Sequence, residues 1–202
     1  LVTAHFCGGK LQQTLHKMPS ETDWELIVVN KWNTIPDGYQ TELTTLSNGK
    51  QVDSRIYPAL QDLFDAMRAD GIYPIVREGY RTTTDQQSIL DDKIKAYEQE
   101  GLSSLLAKKM ASEWVAAPGT SEHQLGIAVD INADKTKSTN DEVYTWLAEH
   151  AWEYGFILRY PKDKENVTGT GYEPWHYRYV GKEAAKEIWQ EGCCLEEYVT
   201  QN

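Results

Sequence analysis

The sequence is short of positive charge. Lys and Arg together number 20 against 31 Asp and Glu, a formal net charge of −11. That balance argues against a nucleic-acid partner held by counterion release, and no run of Lys and Arg offers an anchor for anionic lipid. Long apolar runs are also missing: the longest covers only a few residues, so nothing here spans a bilayer, and no secretory signal is visible. A start at Leu1 in place of Met leads us to expect that an upstream segment has been removed. Cysteine is scarce. Cys7, Cys193 and Cys194 make no Cys-x-x-C spacing, which argues against a thiolate zinc site. A bond from Cys7 to one of the later two would tie the termini together and suit an exported protein; three unpaired thiols are an equal alternative.

What is present is ordinary globular composition. The 202 residues are 40% hydrophobic and 25% charged, enough for one sizeable domain and too few for two. Leu26–Val29 is a short apolar run of strand length. Between Asp53 and Asp70 the residues Ile56, Leu60, Leu63, Phe64 and Met67 mark one face of a helix, with Asp53 or Ser54 as its cap and Gly71 as its stop. Tyr73–Val76 predicts a strand, and a polar helix from about Thr84 carries Gln86. Another helix covers roughly Leu102 to Trp114, ended by Pro118-Gly119. Ile127–Ile131 alternates as a strand, placing Asp130 opposite the core-facing Ile127, Val129 and Ile131. Thr139 and Glu142 have capping-box spacing at the head of a helix whose buried stripe includes Trp146 and His150. Phe156–Tyr160 and Trp175–Val180 predict strands, and Lys182–Gln190 a helix burying Ala184, Ala185, Ile188 and Trp189. Strands and helices mix without regular βαβ alternation, so the fold class is α+β, with a mostly antiparallel central sheet flanked by helices.

Five histidines are available, and three carry little. His5 and His16 lie in a stretch without pattern, and His150 falls on a buried stripe. His123 and His176 differ in their company. In Ser121-Glu122-His123-Gln124-Leu125-Gly126-Ile127-Ala128-Val129-Asp130 a carboxylate follows a histidine by seven residues, and in Glu173-Pro174-Trp175-His176 an acid precedes a histidine by three. Two imidazoles and one carboxylate suffice to hold a catalytic zinc and leave a position open. On a flat strand Glu173 and His176 would point to opposite faces, so a common site demands a bend, for which Pro174 is placed.

These segments, together with Gly79-Tyr80-Arg81 and Gln86, Ala117-Pro118-Gly119, and Arg159-Tyr160-Pro161, resemble the VanY and VanXY type of zinc D,D-carboxypeptidases and dipeptidases. That group shares the hedgehog-domain fold with L,D-carboxypeptidases. The resemblance covers about residues 26–190. It implies a zinc domain over 26–202 with residues 1–25 as an extension packed on it. It also implies Zn2+ held by His123, Asp130 and His176, Glu173 as the base that takes a proton from water, and Arg81 as the cation facing the scissile carbonyl. Ser121, Gln86 and Tyr160 would grip a terminal D-Ala, and Trp175 would wall the metal, with core packing an equal role for it. The expected substrate is a peptidoglycan stem peptide or precursor ending in D-Ala, acted on by a vancomycin-resistance type of enzyme. Alternatives are an L,D-carboxypeptidase acting on tetrapeptides, or a non-catalytic zinc domain that binds cell-wall peptide. The expected location is the bacterial cell envelope, with the cytoplasm as the alternative. One position departs from the family pattern: Glu78 stands where Ser is common. Either Glu78 pairs with Arg81 or another cation, or it meets the ammonium of a D-Ala-D-Ala dipeptide.

Overall fold

The computed structural model describes residues 24–201. His5, His16 and Cys7, with the expected Cys7 bond and most of the expected extension, lie outside the described residues. A small antiparallel hairpin joins β1 (Leu43–Thr45) to β2 (Gln51–Asp53). The main sheet has four antiparallel strands in the order β3 (Pro74–Glu78), β4 (Ala128–Ala133), β6 (His176–Tyr179) and β5 (Phe156–Leu158). The helices are α1 (Tyr57–Ala69), α2 (Thr83–Gln99), α3 (Ser104–Trp114), α4 (Asn140–His150), the single turn α5 (Glu165–Thr168), α6 (Lys182–Glu191) and α7 (Leu195–Gln201). This is the α+β architecture that the pattern predicts.

Period-two alternation fixes the central strand. Ile127, Val129 and Ile131 are fully buried in the main core, and Asp130 emerges on the other face. Helix α1 lays Leu60, Leu63, Phe64 and Met67 on that core, and α4 adds Val143, Trp146 and Leu147. A second cluster seats Ala184, Ala185 and Ile188 of α6 and Leu195 of α7 against Ile157 of β5. Register then aligns the chemistry. Asp130 stands opposite His176 on one side and Glu78 on the other. The second alignment needs a bulge. Val76 pairs with Ile131 and Glu78 with Asp130, so β3 spends one extra residue, Arg77, over that interval. In a regular ladder Arg77 would face Asp130 instead.

The Thr139–Glu142 capping box forms as expected, and α2 has a box of its own from Thr82 and Asp85. Other expectations are corrected. Leu26–Val29 is not a strand. The carbonyls of Glu25 and Ile27 accept from Arg178 Nη2, at 2.8 Å each, so a buried guanidinium serves this backbone in place of a ladder. Neither Asp53 nor Ser54 caps α1, which begins behind Ile56 with Pro58 in its first turn. Asp53 ends β2 and binds Arg55, while the Ser54 hydroxyl accepts from Thr44. The His150 side chain is 40% exposed beside Glu153, and Trp189 is 48% exposed, stacked on Trp152. The last strand starts at His176, not at Trp175.

Candidate active site

Three elements deliver the candidate metal ligands. His123 stands on one 3-10 turn, Glu122–Leu125, stopped by Gly126 at φ +78°, where a side chain would be strained. Asp130 projects from β4 and His176 opens β6. Their ligand atoms all lie within 4.8 Å of one another. Asp130 Oδ1 is 3.4 Å from His123 Nε2 and 3.0 Å from His176 Nδ1. The two rings meet edge to face with centroids 4.9 Å apart.

Each imidazole has its other nitrogen engaged. His123 Nδ1 lies 2.9 Å from the Gly79 carbonyl, which can only accept, so Nδ1 carries the proton and Nε2 keeps its lone pair for the site. His176 Nε2 lies 3.5 Å from Glu122 Oε2, leaving Nδ1 toward Asp130. Outer partners of this kind orient ligating histidines. The donor set therefore fits a zinc ion with a position to spare. Gly79 is required where it stands: a Cβ there would run into the Gln51 carbonyl oxygen, which already accepts from the Tyr80 N–H at 2.6 Å.

The bend expected at Pro174 is a turn. His176 N–H donates to the Glu173 carbonyl at 3.2 Å, with Pro174 and the half-buried Trp175 between them. The turn brings Glu173 Oε2 to 3.8 Å from His176 Nδ1. Burial raises the Glu173 pKa; His176 pulls it down, and the Asp130 charge adds to the rise. Burial alone would lower His176, but hydrogen bonds to Asp130 and Glu122 override it and lift the imidazole to about 9. Asp130 goes the other way despite its own burial, held well below the carboxylate range by the two histidines.

Arg81 joins the site at the ligand turn. Its N–H donates to the His123 carbonyl at 3.1 Å, which ties its backbone to the ligand turn. Its Nη1 donates to Gln86 Oε1 at 3.3 Å, and the buried Gln86 is itself anchored to the Ala116 carbonyl at 2.7 Å. Arg81 Nε lies 3.5 Å from Glu78 Oε2, and Glu78 Oε1 accepts from Lys50 at 3.0 Å. Glu78 is thus paired with two cations, the first of the arrangements open for it. Lys50, Glu78, Arg81, Asp85 and Ser88 line a cavity of about 410 Å³ next to the site.

Residues 49–182 match the family model of VanY, D-alanyl-D-alanine carboxypeptidase. The chain belongs to the VanY family. A D-alanyl-D-alanine carboxypeptidase of Enterococcus faecalis is 58% identical over 186 residues, which are 92% of this chain and 69% of that protein. Two solved structures are each 60% identical. One is the vancomycin-resistance D,D-pentapeptidase VanY in complex with Zn(II), with TM-score 0.84, covering 87% of this chain and 99% of that one. The other is VanYB in complex with D-alanine-D-alanine, with TM-score 0.85 and coverages of 88% and 98%.

In this VanY-family chain the remaining expected site residues cluster around the same centre. Ser121 is buried immediately before the ligand turn. The Tyr160 ring is buried, 4.8 Å from the His176 ring, and burial raises its pKa strongly. Sequence reasoning missed the layer beneath. Glu122, fully buried, accepts from Arg159 Nε and Arg178 Nη1, both at 2.7 Å, and these hold its carboxyl well below its ordinary value against the effect of burial. One signal was available: Arg178 lies two residues past His176 on the same strand and so shares its face. Nothing in the local pattern marked Glu122.

Proposed function

We propose that this chain is a zinc-dependent D,D-carboxypeptidase that removes the C-terminal D-Ala from peptidoglycan stem pentapeptides or their precursors. The observation that carries this reading is the pair flanking the ligand cluster: an acid 3.8 Å from a ligand nitrogen and a guanidinium held by Gln86 and Glu78. A purely structural zinc site needs neither. Bound zinc would supply a Lewis acid for the carbonyl and bring the pKa of a water down to about 7. Glu173 takes the proton from the water as its oxygen bonds to the scissile carbonyl carbon. Arg81 donates to the oxyanion that develops there. The C–N bond then breaks, and Glu173 returns the proton to the departing amine, releasing D-Ala and a peptide shorter by one residue. Ser121, Gln86 and Tyr160 bind the terminal D-Ala, and Trp175 closes one side.

A cell-wall substrate supports the bacterial envelope as the site of this work, with the cytoplasm the alternative if precursors are the substrate. No helix among the described residues is long and apolar enough to cross a membrane. The relatives' names extend the reading to vancomycin resistance. The test is zinc-loaded protein against pentapeptide, tetrapeptide and D-Ala-D-Ala, before and after chelation. D-Ala release from pentapeptide, abolished by chelator and restored by zinc, is expected. Release from tetrapeptide alone would make it an L,D-enzyme, and zinc binding without any hydrolysis would make it a binding domain.

A further inference from the structure

Beneath the ligand cluster lies a closed set of four charged side chains for which the reaction has no direct use. Glu122 Oε1 takes Arg159 Nε and Arg178 Nη1. Arg159 then forks onto Glu196, Nη1 to Oε2 at 2.8 Å and Nη2 to Oε1 at 2.6 Å. Asn30 Nδ2 donates to Glu196 Oε1 at 3.0 Å. Glu122, Arg159 and Arg178 are at most 1% exposed and Glu196 7%. Two acids meet two guanidinium groups, so the set is neutral in sum. It meets the ligand cluster through Glu122 Oε2, 3.5 Å from His176 Nε2, and Arg159 also lies over the Tyr160 ring, 5.0 Å from its centroid.

From this we propose that Glu122 is a positioning residue for the zinc site, and that α7 holds it in place through Glu196 and Arg159. The inference rests on the zinc reading above. A carboxylate facing Nε2 keeps the proton on that nitrogen and turns the Nδ1 lone pair toward Asp130 and the ion. Both guanidinium groups sit on Glu122 Oε1, which fixes the carboxyl plane and leaves Oε2 for the imidazole. The bidentate Arg159–Glu196 fork fixes Arg159 in turn. Glu196 on α7 and Asn30 near the start of the described chain both lie outside residues 49–182, the span of the family match. Ligand geometry in this chain therefore depends on segments beyond that span.

The first experiment uses the unaltered protein. Nitrogen-15 NMR of its histidines with zinc bound should show His176 protonated at Nε2 and metallated at Nδ1; metallation at Nε2 would overturn the proposal. The second compares Glu122→Gln and Glu196→Gln in zinc affinity, by chelator competition, and in the visible spectrum of the cobalt-substituted protein. Leu63→Ala, a core cavity in α1 with no tie to the network, controls for general destabilisation. Glu122→Gln should weaken zinc about 10- to 100-fold and change the cobalt spectrum, Glu196→Gln about tenfold, and Leu63→Ala not measurably. Folded Glu122→Gln and Glu196→Gln with unaltered affinity and spectrum would overturn it. If the variants do not fold, the NMR result decides alone. Failure of the unaltered protein to bind zinc would instead bring down the functional reading.

Discussion

Replacing Glu173 with Gln isolates the proton transfer from everything else the residue does. The backbone of Glu173 anchors its turn at both ends: its N–H donates to the Tyr160 carbonyl and its carbonyl accepts from His176, each at 3.2 Å. Neither bond involves the side chain. The amide has nearly the volume of the carboxyl, and the side chain is 22% exposed, so packing should survive. Glu173 Oε2 stands 3.8 Å from His176 Nδ1, and the three candidate ligands do not include Glu173, so zinc should stay bound. What goes is the carboxylate proposed to hold the water's proton. General-base catalysis contributes roughly 10²–10⁴ in rate, and at about 1.36 kcal/mol per tenfold that is about 2.7–5.4 kcal/mol of barrier.

The assay is D-Ala release from pentapeptide, read by a coupled D-amino-acid oxidase, with metal content measured on the same samples. The expected result is one zinc per chain, an unchanged melting temperature and a rate constant lower by two to four orders of magnitude. Turnover within tenfold of the unaltered protein at full zinc would refute the base assignment. Loss of zinc would refute the claim that Glu173 stands outside the ligand set.

Gly79→Ala should push the chain off Gln51 and move the carbonyl that holds His123 Nδ1, weakening zinc by about 10- to 100-fold in chelator competition; unchanged affinity would show that this carbonyl is dispensable. Glu78→Ser frees Lys50 and Arg81 together, so the loss of activity should be equal on dipeptide and pentapeptide, whereas a loss confined to D-Ala-D-Ala would assign Glu78 to the substrate ammonium. Burial works to raise the Asp53 pKa, but hydrogen bonds from Arg55 and Thr41 prevail and hold it below its ordinary value. A depressed folded pKa contributes stability above the unfolded value of about 3.9 that is lost as pH falls through the folded one. Asp53→Asn should therefore melt lower at pH 7 and lose less on acidification, and melting curves that stay parallel from pH 7 to pH 2 would contradict it.

How much of this could be read from the residues alone depends on the range of the interaction. Period two in Ile127–Ile131 set Asp130 apart from the core because alternation is local, and Glu142 three residues after Thr139 predicted its own cap for the same reason. The candidate ligand set was legible because metal chemistry restricts the residue types, and His123 and His176 were the histidines with carboxylates in company, Asp130 among them. The hairpin β1–β2 escaped because its strands have three residues each, too few to show a period. Leu26–Val29 misled because hydrophobicity records burial and not what satisfies the backbone; Arg178, some 150 residues away, does that. The register is harder still. Glu78 faces Asp130 only because one residue is spent in a bulge at Arg77, and a bulge is decided by what the neighbouring strand must reach.

The buried charges mark the limit most sharply. A composition with 31 acids predicts solvated carboxylates, yet Glu122 is taken wholly out of water beside the metal ligand it follows in space. Such a group is tolerable only with its partners already in place, since an unpaired buried carboxylate would be neutralised or would unfold its surroundings. Those partners come from β6, from the segment after β5 and, one step on, from α7. The ligand turn and the segments around Arg159 thus share one buried charge network. Residues that never touch substrate hold its chemistry in place, and only the assembled chain brings them together.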